Sequence, residues 1–112
     1  MGAYQLWTAQ TLATGTGYTS AAVEITDAVR CALHVTALTG TTPDVTFTYS
    51  LSNSQDGTFV TPLTPVTIKA SAGAADVHDF VPEASGWIKI IATNNSGANA
   101  AVLTAQLAVS TN

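Results

Sequence analysis

Between residues 45 and 52, apolar and hydroxyl side chains alternate without a break. Val45, Phe47, Tyr49 and Leu51 fall on one parity, and Thr46, Thr48, Ser50 and Ser52 on the other. A period of two sends successive side chains to opposite faces of an extended chain, so this segment reads as a strand with one buried and one hydroxyl-lined face. A helix would scatter the same apolar residues around its circumference, so the pattern excludes one here.

The same reading extends along the chain. It predicts strands at Tyr4 to Thr11, Ala21 to Thr26, Val29 to Leu38, Pro65 to Ala70, Ala75 to Val81, Trp87 to Thr93 and Ala101 to Ser110. Turn-forming clusters separate them: Gly15-Thr16-Gly17, Gly40-Thr41-Thr42-Pro43, Asn53-Ser54-Gln55-Asp56-Gly57, Ala72-Gly73, Glu83-Ala84-Ser85-Gly86 and Asn94-Asn95-Ser96-Gly97. Helix has support only as single turns at 71–76 and 27–29. About eight short strands in 112 residues, with no linker or repeat, imply one all-β domain over 1–112, a two-sheet antiparallel β-sandwich of jelly-roll type. Trp87 to Ala92 is apolar on both faces except at Lys89, which marks a central or covered strand. Residues 101–110 are expected to pair with it across the Asn94 to Asn99 turn.

Composition narrows the function. Only ten residues are charged, three basic and seven acidic, where a typical domain of this length carries about 28. Three cations cannot form the basic stripe that binds phosphate backbones, so nucleic acid is not an expected partner. No run approaches the roughly 18 apolar residues of a membrane span, and Met1 to Gln5 shows no basic leader, so the expectation is synthesis in a cytoplasm and no membrane. The single Cys31 can form no internal disulfide. In place of ions the chain has 19 Thr and 19 Ala. Such a surface loses little rotamer entropy and sheds no ion hydration when covered, so much of it is expected to be buried in an assembly.

The groups that could do chemistry are few. Cys31 and His34 stand three apart, which on a strand places them on opposite faces and prevents a local Cys/His nucleophile pair. Asp76 and His78 would share a face with Asp79 turned away, but two ligands do not complete a zinc site, and an edge or outer position is the expectation. The oxygen-rich 53–57 segment lacks the acidic residue that closes a calcium loop and reads as a turn. Gly15-Thr16-Gly17 lacks the Lys of a phosphate loop. Asn94-Asn95-Ser96 has the spacing of a glycosylation acceptor without a secretion signal. No catalytic, cofactor or metal site is expected, and the chain is not expected to be an enzyme. Trp7, Trp87 and the tyrosines leave a sugar-stacking platform as an alternative.

Three stretches carry a resemblance: Leu33 to Pro43, with its Thr-Ala-Leu-x-Gly turn, Ser54 to Phe59, with an Asp-Gly turn before an aromatic, and Gly86 to Ala92, a late strand with a basic residue. In this order and spacing they resemble small β-sandwich virion proteins of tailed bacteriophages, over roughly Leu33 to Val109. Phe59 stands where a Trp is more usual and Lys89 where Arg is expected. The resemblance implies a capsid decoration or cement protein on the head shell, bound to the major capsid protein as a homotrimer, with a tail or head-fibre component as the nearest alternative. It places the chain on the virion surface after synthesis in the host cytoplasm. Tyr4, Leu6, Trp7 and Lys89 are the candidate contact residues. Residues 1–8 are either a docking arm or the start of the first strand.

Overall fold

The computed structural model describes residues 2–63, 67–71 and 76–111. Nine strands are seen among them, and no helix: β1 (Gly2–Leu12), β2 (Gly17–Thr19), β3 (Val23–Glu24), β4 (Arg30–Gly40), β5 (Asp44–Ser52), β6 (Ile68–Ser71), β7 (Asp76–Phe80), β8 (Trp87–Asn94) and β9 (Ala101–Ser110). Sheet A has the order β1-β9-β4-β7, and sheet B the order β2-β8-β5-β6 with β3 also on β8. Every ladder is antiparallel.

The pairings β5 with β6, β4 with β7, β2 with β8 and β1 with β9 are nested. The chain is one long hairpin, rolled until β8 meets β5 and β9 meets β4. This is the jelly-roll solution to closing two sheets over one core. It corrects the expected hairpin between 87–93 and 101–110, because β8 and β9 lie in different sheets. Asn94 marks the crossing. Fully buried, it donates through Nδ2 to Leu12 O (3.0 Å) and Asn99 O (3.1 Å), and its Oδ1 accepts from Ser96 N–H (3.0 Å). The side chain thereby ties β8 to the end of β1 and carries the chain over to the second sheet. β8 itself is central in sheet B, flanked by β5 on one side and by β2 and β3 on the other.

The expected first strand and the strands at 29–38, 45–52 and 101–110 are present with ends shifted by a residue or two. The segment 21–26 contributes only Val23–Glu24, and Gly17, assigned to a turn, opens β2. Between β2 and β3 the side chain of Ser20 takes over the ladder, its Oγ accepting from Ile90 N–H at 3.0 Å. Pro65, the Ala72-Gly73 turn and Ala75 lie outside the described residues.

The core is filled by the inward parity of each strand, including Leu33, Val35, Phe47, Ile88, Ile90, Leu103 and Leu107. Two aromatic contacts join the sheets: Trp7 with Phe47, ring centroids 6.5 Å apart, and Tyr49 stacked on Phe80 at 5.2 Å. Gly40 ends β4 at φ +141°, where a Cβ would stand 2.9 Å from Ala100 O, so the glycine of the Thr-Ala-Leu-x-Gly turn is required by close backbone approach. The alternation of β5 slips near its end. Ser50 and Ser52, of outward parity, are buried, because the chain returns beside them through Phe59 and Val60, the latter bridged to Leu51.

Candidate functional site

The titratable groups do not converge. Cys31 faces the core, and burial pushes its thiol from 9.0 up to about 11, so at neutral pH it is a protonated, inert group. His34 lies on the opposite, outer face of β4, as its spacing predicts. β7 is one of the two edge strands of sheet A. His78 pairs with Leu33 on the core-side row, and Asp79 pairs with Ala32 on the outer row. The side chain of Asp76 lies outside the described residues. Among the described residues no three His, Cys, Asp or Glu side chains are placed to hold a metal ion. The 53–57 segment is a turn closed by Ser54 N–H to Ser52 Oγ (3.2 Å) and Gly57 N–H to Ser54 O (3.2 Å). Asn94, the acceptor position of the glycosylation spacing, is consumed by its three hydrogen bonds in the core.

What the fold does build is two outward sheet faces of different character. On sheet A the cross-strand registers align Ala3, Ala108, Ala32 and Asp79 in one row, and Gln5, Gln106, His34 and Val77 in the next. Gln106 Nε2 donates to Gln5 Oε1 at 2.8 Å, and Gln5 Nε2 donates to Trp7 O at 2.7 Å, which ties the Gln5 amide down along the face. Arg30 and Asp79 form a pair at 3.7 Å, both well exposed. Small Ala32 and Ala108 between taller neighbours leave a shallow trough of about 500 Å³, rimmed by exposed Val29 and Val77. On sheet B, Trp87, Lys89, Ile91 and Thr93 are the half-buried outward residues of β8. Lys89 Nζ lies 4.4 Å from the Phe59 ring centroid. The two positions that depart from the resembled pattern therefore touch, as a cation over an aromatic face.

The four candidate contact residues are not brought together. Trp7 is buried in the core, and Leu6 is half-buried against it, so residues 2–8 form the first part of an edge strand. Tyr4 is 42% exposed on that strand. Lys89 is on the other sheet, held over Phe59. Sequence reasoning missed Leu63, which is fully exposed beyond Val60. The signal for it was an apolar residue between Pro62 and Pro65 in a stretch, 57–68, without a single charge.

No family model matches the chain, and no curated protein matches it in sequence. Among solved structures it is similar to a chain in the structure of infectious bursal disease virus Gt strain, with a TM-score of 0.59 and 13% identity over 96% of this chain. The match spans about 30% of that viral chain. It is also similar to TmCBM61, solved in complex with beta-1,4-galactotriose, at a TM-score of 0.46 and 8% identity, covering 96% of this chain and 69% of the other. At such identities the viral likeness establishes the shared sandwich fold.

Proposed function

We propose that this chain is a structural virion component of the capsid decoration or cement type, a non-catalytic protein that self-associates and covers joints in a bacteriophage head shell. The outer face of sheet A carries the reading. Its four strands, at about 4.8 Å spacing and 3.3 Å per residue, span on the order of 600 Å² in projection. That approaches the roughly 800 Å² per partner of a standard stable interface. The face is small and weakly polar, and among the described residues its one ion pair is internally neutralised, so covering that pair strands no charge. The sequence resemblance to small phage β-sandwich virion proteins and the fold likeness to a viral chain support the same direction.

Adhesion of this kind comes from apolar burial and hydrogen bonds multiplied over many symmetric copies. The test is co-sedimentation of the purified chain with phage heads of its source. Stoichiometric binding that persists to about 1 M NaCl, where the screening length is about 3 Å, is the expected result. Absence of binding, or its steep loss with salt, would contradict the reading.

A second reading has one observation in its favour. Trp87 stands on the outer face of sheet B between Glu24 and Ser52 in register, with Lys89 two residues along, which suits stacking on a sugar ring beside hydroxyl-binding groups. A shift of Trp fluorescence on adding an oligosaccharide, absent in Trp87→Ala, would favour it over the virion role.

A further inference from the structure

Asp56-Gly57 is the one Asp-Gly step in the chain, and its turn has no part in the interface proposed on sheet A. The fold demands the glycine. A Cβ on Gly57 would press against Ser54 Oγ and stand 2.7 Å from Ser52 Oγ, and Ser52 cannot yield because it is buried and its Oγ holds the Ser54 N–H. Asp56 itself is exposed, and among the described residues no hydrogen bond or ion pair holds its carboxylate. We propose that Asp56 is a self-modifying site, at which the Gly57 amide closes on the Asp56 side chain and the main chain isomerises to isoaspartate.

The reaction needs only water. The Gly57 nitrogen attacks Asp56 Cγ, the N–Cγ bond forms, and the carboxyl hydroxyl leaves as water with the amide proton. The resulting succinimide takes up one water again. Opening at Cγ restores aspartate, whereas breaking the bond between Asp56 C and the Gly57 nitrogen gives isoaspartate, with the mass unchanged. Glycine has no side chain to obstruct the approach, and the Gly57 N–H is held only by a bond of 3.2 Å to Ser54 O, the longest of the backbone bonds outside the ladders among the described residues. Elsewhere the fold locks the equivalent groups. Asn95 N–H, the nucleophile that Asn94 would need, donates to Asp44 O at 2.8 Å, and the Asn94 amide is itself fixed by three hydrogen bonds. Ala28 N–H, which follows Asp27, donates to Ile25 O at 2.9 Å. Asp44 and Asp79 lie in ladders and carry ion pairs. Isoaspartate lengthens the main chain inside a turn that has no room for a Cβ at its end, so the turn must open. Ser52 accepts from Ser85 Oγ at 2.8 Å through its carbonyl and lies in register with Trp87, which carries the change to the adjoining ends of β5 and β8. The chemistry is independent of the virion role.

Ageing the folded, full chain for several weeks at neutral pH and physiological temperature tests it, read by peptide mapping and by labelling with protein isoaspartate methyltransferase. The expected result is isoaspartate at Asp56, preceded by a species lighter by one water. Its rate should lie within about tenfold of that in the chain unfolded in guanidinium chloride, a barrier raised by no more than about 1.4 kcal/mol. Asp56→Glu keeps the charge on an exposed turn but can close only a larger and slower ring, so it should carry no label at this position. Isoaspartate at Asp56 confined to the unfolded chain, label retained at position 56 in Asp56→Glu, or equal conversion at Asp27 in the folded chain overturns the proposal. Both readouts are made on the isolated chain, so a failure to bind phage heads would count against the virion role and leave this site standing.

Discussion

The outward faces of the two sheets are made by the same alternation and end up unlike. Sheet A shows alanines, glutamines and one exposed ion pair around an open trough. On sheet B, Lys89 is occupied by Phe59, and Ser50 and Ser52 are buried where the returning chain runs. Sheet B has thus covered part of its outer face with its own chain, while the described residues leave a trough open on sheet A. A period-two pattern decides which residues face outward, and the connections decide which of the two faces is left for a partner.

The largest expected effect probes what the faces share. Leu107→Ala, on the fully buried side of β9, should cost about 2–5 kcal/mol in urea unfolding, whereas Ala108→Glu on the outer side of the same strand should stay within about 0.5 kcal/mol when both are compared at concentrations dilute enough for the wild type to be monomeric. An equal loss at both positions would mean that the outer face of sheet A is packed within the single molecule. Next is the link between the sheets. Asn94→Ala strands Leu12 O, Asn99 O and Ser96 N–H and should cost about 2–3 kcal/mol, while a loss below about 1 kcal/mol would show that the sheets do not depend on it.

Cys31 reports on the core beneath sheet A. Its folded-state pKa of about 11 exceeds the ordinary 9.0, so the unfolded chain releases the proton first. The stability it contributes is complete below pH 9 and declines as pH rises towards 11, a decline that Cys31→Ala should abolish in pH-dependent unfolding. Smaller again is the cover on sheet B. Lys89→Ala should lose about 0.5–1 kcal/mol through its contact with Phe59. Smallest is Arg30→Ala on sheet A, which breaks an exposed pair and should cost less than about 0.5 kcal/mol in thermal unfolding. Reversal of the last two would invert the contrast between the faces.

β8 and β9, and most of β4 and β5, were legible in the sequence because their burial follows residue parity, whereas β1 is interrupted by register shifts that bury Trp7 and Leu12 on opposite parities. β2 was not, since Gly17–Thr19 is too short to show a period and exists through its ladder to β8. Partner choice was not legible either, because parity specifies faces and says nothing of neighbours. The 87–94 and 101–110 segments look like a hairpin until Asn94 is seen to carry the chain between sheets. Phe59 and Lys89 stood out separately in the sequence, and only the fold shows them in contact. Trp7 is the converse. An aromatic near the chain start suits an exposed arm equally well, and its burial against Phe47 depends on β1 pairing with β9.

The asymmetry of the two faces is tested most directly by placing one negative charge on each and comparing sedimentation. Ala108→Glu lies on the outer face of sheet A, and Thr19→Glu on the outer row of sheet B, at the edge away from β5. The account predicts that Ala108→Glu sediments as a monomer and Thr19→Glu as the wild-type oligomer. Dissociation by Thr19→Glu with assembly retained in Ala108→Glu would contradict it.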